Sequence, residues 1–138
     1  MSDARFAKPA SRMPNGDPDF NIKELPKLER FFAPLAPAIT RFAEKHSLRI
    51  ERYYHQLPSW ELCFDHPKGG CAYIEIRREG DDAFRVLSAW WIDKAGTRSS
   101  RDAEAGPFPV RGTDVEKLLQ KHYTAVLRWR LGDWTHVG

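Results

Sequence analysis

The chain has 138 residues, 41% of them hydrophobic and 30% charged, which fits one globular domain. Its 22 Lys and Arg are interspersed with 19 Asp and Glu for a net charge of +3, so no dense cationic stripe demands a nucleic acid or an anionic membrane. Two cysteines make no disulfide framework, no apolar run reaches the ~18–20 residues of a membrane span, and the N-terminus has no signal-peptide core, so a cytoplasmic location is expected by elimination.

Residues 1–19 carry Pro9, Pro14 and Pro18 among small polar residues and have little to bury. They are expected to be a disordered N-terminal arm, which leaves 20–138 as a single α+β domain. Residues 20–47 read as helical, divided by proline. Pro26 suits the first turn of a short helix carrying Leu28, Phe31 and Phe32. Pro37 lacks the N–H of an interior helical position, so the chain is expected to break near Ala33 and restart. The second helix buries Leu35, Ile39, Phe42 and Ala43 and runs to about Lys45.

From Leu48 the hydrophobic period changes to two. Strands are predicted over 48–56, 59–66, 71–78 and 84–93, separated by Leu57-Pro58, Pro67-Lys68-Gly69-Gly70 and Gly80-Asp81-Asp82. Links this short permit only antiparallel neighbours, so the expectation is a four-stranded antiparallel meander. Residues 94–112 read as a long polar loop. Thr113 and Glu116 then fit a capping box that opens one long C-terminal helix packed on one face of the sheet. Its apolar stripe is Val115, Leu118, Leu119, His122, Val126 and Trp129, and Gly132 is a stop signal.

Strand alternation sorts the side chains. Trp60, Leu62 and Phe64 share a face, as do Ala72, Ile74 and Ile76, and these apolar sets are expected to meet the helices. The opposite face then holds Glu61, Cys63, Cys71, Tyr73, Glu75 and Arg77, with Glu51, Tyr53 and His55 from the first strand. The 84–93 strand is apolar on both sides, and at a sheet edge it would need a cover. Pairing Phe64 with Ala72 sets Glu61 against Glu75, a like-charge contact; shifts by two residues would pair Glu61 with Arg77, or Cys63 with Cys71.

No catalytic or cofactor motif occurs. Cys63, His66 and Cys71 flank one hairpin, but structural zinc takes four ligands and strand parity sends His66 to the face opposite Cys63, so no metal is expected. Plain free thiols are the favoured reading over a cross-strand disulfide or a Cys63 nucleophile, whose acidic neighbours Glu61 and Asp65 raise its pKa. His122 reads as a hydrogen-bonded core histidine. Aromatic rings with Arg77 and Arg85 could stack nucleic-acid bases, and Glu51, Glu61 and Glu75 argue against it.

The leading expectation is a non-enzymatic binding or adaptor protein acting through the second sheet face and the sheet edge, with homodimerisation the simplest cover and another protein the alternative partner. The second expectation is a small-molecule-binding protein or minor enzyme, its pocket between the sheet and the 94–112 loop. The candidate binding residues are Tyr53, Glu61, Tyr73, Glu75, Arg77 and Trp91. No cofactor is expected.

Overall fold

The computed structural model describes residues 22–54, 57–94, 97–130 and 135–137. The expected N-terminal arm, His55 and the Gly132 stop lie outside these residues. After a 3-10 turn at Ile22–Glu24, α1 (Leu25–Phe32) starts with Pro26 in its first turn, where the missing N–H has no helical partner to lose. The Ala33 N–H closes α1 on the Glu29 carbonyl at 2.9 Å. Helix α2 (Ala36–His46) then restarts with Pro37 in its first turn. It ends at Ser47 in the left-handed conformation (φ 58°), and the Leu48 N–H returns to the Ala43 carbonyl at 2.8 Å.

The sheet runs β1 (Arg49–Tyr53), β2 (Ser59–Asp65), β3 (Cys71–Glu79), β4 (Ala83–Lys94) and β5 (Thr97–Pro109), each antiparallel to the one before. Helix α3 (Val115–Arg128) follows, and a short sixth strand, β6 (Thr135–Val137), pairs with Arg98–Ser100 of β5. The α+β class and the meander are as expected. The strand number is not, because five strands precede the last helix where four were predicted. The segment read as a polar loop contains β5, paired with β4 from Lys94↔Thr97 to Ala83↔Pro109 with an irregularity between Phe84 and Val86. The physical reason lies in β4. A strand buried on both sides leaves its main-chain groups without water, so they need a ladder partner whatever side chains that partner carries. β4 is therefore an interior strand, and the edge position that motivated a homodimer is not its position.

The central hairpin adopts the register that charge disfavoured: Phe64 pairs with Ala72 and Glu61 with Glu75. Turn chemistry explains it. The Gly69 N–H donates to the His66 carbonyl at 2.9 Å and the His66 N–H to the Gly70 carbonyl at 3.0 Å, so Pro67 and Lys68 are the turn's central residues. Gly69 and Gly70 hold φ of 103° and 73°. A Cβ on Gly70 would lie 2.1 Å from the Trp91 carbonyl oxygen, so this turn's path accepts only glycine there. A cross-strand charge term of roughly 0.2–1 kcal/mol does not overcome that.

The even-numbered face carries the core. Trp60, Leu62, Ile74, Ile76, Phe84 and Val86 pack against Phe31, Phe32, Leu35, Ile39, Phe42, Val115 and Leu119. Phe32 stacks on Trp60 with ring centroids 5.6 Å apart, and the Trp60 indole N–H donates to the Tyr54 hydroxyl at 3.1 Å. Asp114 caps α3, its carboxylate accepting from the Lys117 N–H at 3.1 Å. Thr113, expected in that role, instead donates its hydroxyl to the Pro109 carbonyl at 2.6 Å. The cap moves by one residue and the helix start with it.

Candidate functional site

Because the register aligns odd-numbered positions, the second sheet face is ordered in rows. One row reads Arg49–Cys63–Tyr73–Ala89–Asp102, the next Glu51–Glu61–Glu75–Leu87–Glu104, and the third Tyr53–Ser59–Arg77–Arg85. The middle row sets three carboxylates side by side on β1, β2 and β3. Glu61 is 1% exposed and Glu75 2% exposed, as buried as the apolar core.

Buried carboxylates are costly unless paired, and each end of the row has its own partner. The Arg77 guanidinium donates to Glu75 at 2.7 Å, two residues along the same strand face. Arg49 does the same for Glu51 at 2.8 Å, and the Tyr53 hydroxyl donates to the second Glu51 oxygen. For Glu51, burial pushes the pKa up, but the Tyr53 phenol and Arg49 outweigh it and hold the carboxyl below its usual value. The same contacts push the Tyr53 phenol up, burial first and Glu51 next. The Cys63 thiol is likewise pushed up, by burial and then by Glu51 and Glu61. At neutral pH Tyr53 and Cys63 are therefore protonated, and Cys63 is a poor nucleophile. Both cysteines are free thiols.

Beside the row, an open cleft of about 400 Å³ lies over Leu87, lined by Tyr73, Arg77, Leu87, Ser88, Asp102, Ala103 and Glu104. Asp102 and Glu104 are exposed at its rim, Glu104 lying 3.7 Å from Arg85. The structure thus brings the six sequence candidates onto one face, but not into one pocket. Tyr73 and Arg77 line the cleft. Tyr53, Glu61 and Glu75 are buried beside it, and Trp91 packs edge-on to Tyr73 with centroids 6.0 Å apart. The pocket expected under a 94–112 loop is instead a cleft whose far wall is β5 itself. Ser59, Leu87, Asp102 and Glu104 were missed. For Asp102 and Glu104 the signal was present, since they alternate with Ala103 and Ala105 at the period of a strand.

Tyr53, Tyr73 and Trp91 are all buried, so none presents the exposed ring that base stacking uses. Cys63 and His66 face opposite sides of β2, and among the described residues no three His, Cys, Asp or Glu gather in a metal-holding arrangement. His66 has another task. Its Nδ1 accepts from the Lys68 N–H at 3.1 Å, its Nε2 lies 2.8 Å from the Val126 carbonyl, and its ring stacks 3.8 Å from Trp90. These partners select the neutral Nε2-protonated tautomer. Lys68 Nζ donates to the Trp129 carbonyl at 2.8 Å, so one turn clamps the end of α3 to the sheet.

Comparison with protein-family models, with curated proteins and with solved structures finds no match to this chain. Among the described residues no helix is long and apolar enough to cross a membrane.

Proposed function

We propose that this protein is a small-molecule-binding protein whose recognition site is the polar second face of the sheet. One observation carries the reading: the cleft over Leu87, bordered by Tyr73, Arg77, Asp102 and Glu104 and flanked by buried, charge-paired side chains. Its volume lies in the range of small-ligand sites, and a few fixed polar groups around an aliphatic floor are the usual composition of such sites. Tyr53 and Cys63, both held protonated, favour binding over nucleophilic chemistry.

The partner-binding reading rested on an apolar strand at a sheet edge, and β4 is not an edge. Among the described residues, β5 beyond Ser100 pairs with β4 alone. That stretch holds Asp102, Glu104, Pro107 and Pro109 next to a register irregularity, the features by which natural sheets discourage strand addition. The cleft is therefore the stronger candidate.

A thermal-shift screen against metabolites tests the reading, because a ligand at a hundred times its dissociation constant adds about 2.7 kcal/mol. Leu87→Trp fills the cleft and is expected to abolish the shifts while the fold is retained. Shifts that persist unchanged in Leu87→Trp would place the ligand elsewhere.

A further inference from the structure

We propose that a second cavity, away from the sheet cleft, binds an apolar α-amino acid. Its carboxylate would lie at Arg30 and Arg111, its ammonium at Asp82 and its side chain on Pro34, Pro109 and Val110. The site goes beyond the reading of the sheet face and does not depend on it.

The cavity, of about 380 Å³, lies where three parts of the chain meet. Arg30, Phe31 and Pro34 come from the end of α1 and its link to α2, Asp81 and Asp82 from the β3–β4 turn, and Pro109, Val110 and Arg111 from the chain leaving β5. Its volume lies in the range of small-ligand sites. The frame is tied together. The Val110 N–H donates to the Asp82 carbonyl at 2.9 Å, which joins the segment after β5 to the turn. Asp81 pairs with Arg78 at 2.6 Å and with Lys27 of α1 at 3.7 Å, which joins the helix to the same turn.

The charges left over carry the inference. Among the described residues, the guanidiniums of Arg30 and Arg111 and the carboxylate of Asp82 have no hydrogen-bond or ion-pair partner, although all three line this one cavity. At the sheet cleft the arginines are engaged instead, Arg77 by Glu75 at 2.7 Å and Arg85 by Glu79 at 2.8 Å. Charges of both signs that share a cavity without closing on each other are the complement of a ligand that carries both. A simple anion would meet Asp82, and a simple cation would meet two guanidiniums. A zwitterion meets neither conflict, and guanidiniums are the usual partners of a carboxylate.

The uncharged wall sets the rest of the ligand. Pro34, Pro109 and Val110 stand beside Phe31, and none of their side chains can donate or accept a hydrogen bond. A polar group laid on them would lose water without gaining a partner, whereas an apolar one is buried favourably. An α-amino acid carries its two charges on one carbon and leaves its side chain free to cover this wall.

Calorimetric titration of the full chain with leucine, 4-methylpentanoate and isopentylamine tests the proposal, since the two analogues keep the aliphatic body and each lacks one charge. Leucine is expected to bind saturably, with either analogue at least about tenfold weaker because it loses one charged hydrogen-bonding group. Asp82→Asn and Arg111→Gln are each expected to weaken leucine by a similar factor, with the far-UV circular dichroism of both variants unchanged. Leucine binding is expected to persist in Leu87→Trp, which fills only the sheet cleft. An analogue that binds as tightly as leucine, or undiminished leucine affinity in Asp82→Asn or Arg111→Gln, overturns the zwitterion assignment. Leucine binding that disappears in Leu87→Trp overturns it too, while supporting the sheet cleft as a ligand site. No leucine binding at all overturns it and leaves the reading of the sheet cleft to the metabolite screen.

Discussion

The two faces of this sheet reach the same degree of burial by opposite chemistry. On the helix-covered face, Leu62, Ile74 and Ile76 are closed off by Phe32, Leu35, Ile39 and Leu119, and shape is all they require. On the other face, Tyr53, Glu61 and Glu75 are equally hidden while carrying hydroxyl and carboxylate groups, and they require specific partners. The apolar face is built to hold the fold, and its burial is favourable in itself. The polar face costs desolvation that only paired charges offset.

The largest difference between the faces should appear on truncation. Phe32→Ala removes the ring stacked on Trp60 and should lower stability by about 3–5 kcal/mol at any pH, measured by urea unfolding. On the second face, Arg77→Leu leaves the Glu75 carboxylate buried opposite Glu61. With Arg77 partly exposed, a loss of roughly 1–3 kcal/mol at neutral pH is expected. Replacing both partners, Glu75→Leu with Arg77→Leu, should recover most of that loss. If it does not, the pair contributes more than mutual neutralisation and the contrast drawn here is too sharp.

Smaller effects refine it. Asp114→Ala removes the α3 cap and should cost about 1 kcal/mol. The smallest concerns pH. Burial holds the His66 pKa below its ordinary value, and the nearby Lys68 charge adds to that. The unfolded chain therefore takes up the proton first, so stability is complete above about pH 6.5 and declines as pH falls toward the folded value. His66→Gln should flatten the slope of unfolding free energy between about pH 7 and about pH 5. His122, also lowered by burial, keeps a residual slope of the same sign.

Much of the fold was legible because local signals agreed. Pro26 and Pro37 divided the helices, and the even-numbered apolar residues from Trp60 to Ile76 declared the core face. β5 was only faintly legible, in the alternation of Asp102 and Glu104 with Ala103 and Ala105, since Thr97–Pro109 otherwise carries few residues of strand character and is held by its ladder to β4. Cross-strand charge left the hairpin register open, because it is weaker than the requirement for glycine at positions 69 and 70. The candidate site was legible as a face and not as a cleft. Parity placed Glu61, Tyr73, Glu75 and Arg77 together, but the rim needs Asp102 and Glu104, which only a fifth strand brings alongside.

Everything assigned to the second face depends on which residues stand opposite one another across β2 and β3. Cross-strand nuclear Overhauser effects between backbone protons measure this directly. Contacts joining Glu61 to Glu75 and Cys63 to Tyr73 are the expected result. Contacts joining Glu61 to Arg77, or Cys63 to Cys71, would contradict it, because the carboxylate row would no longer exist.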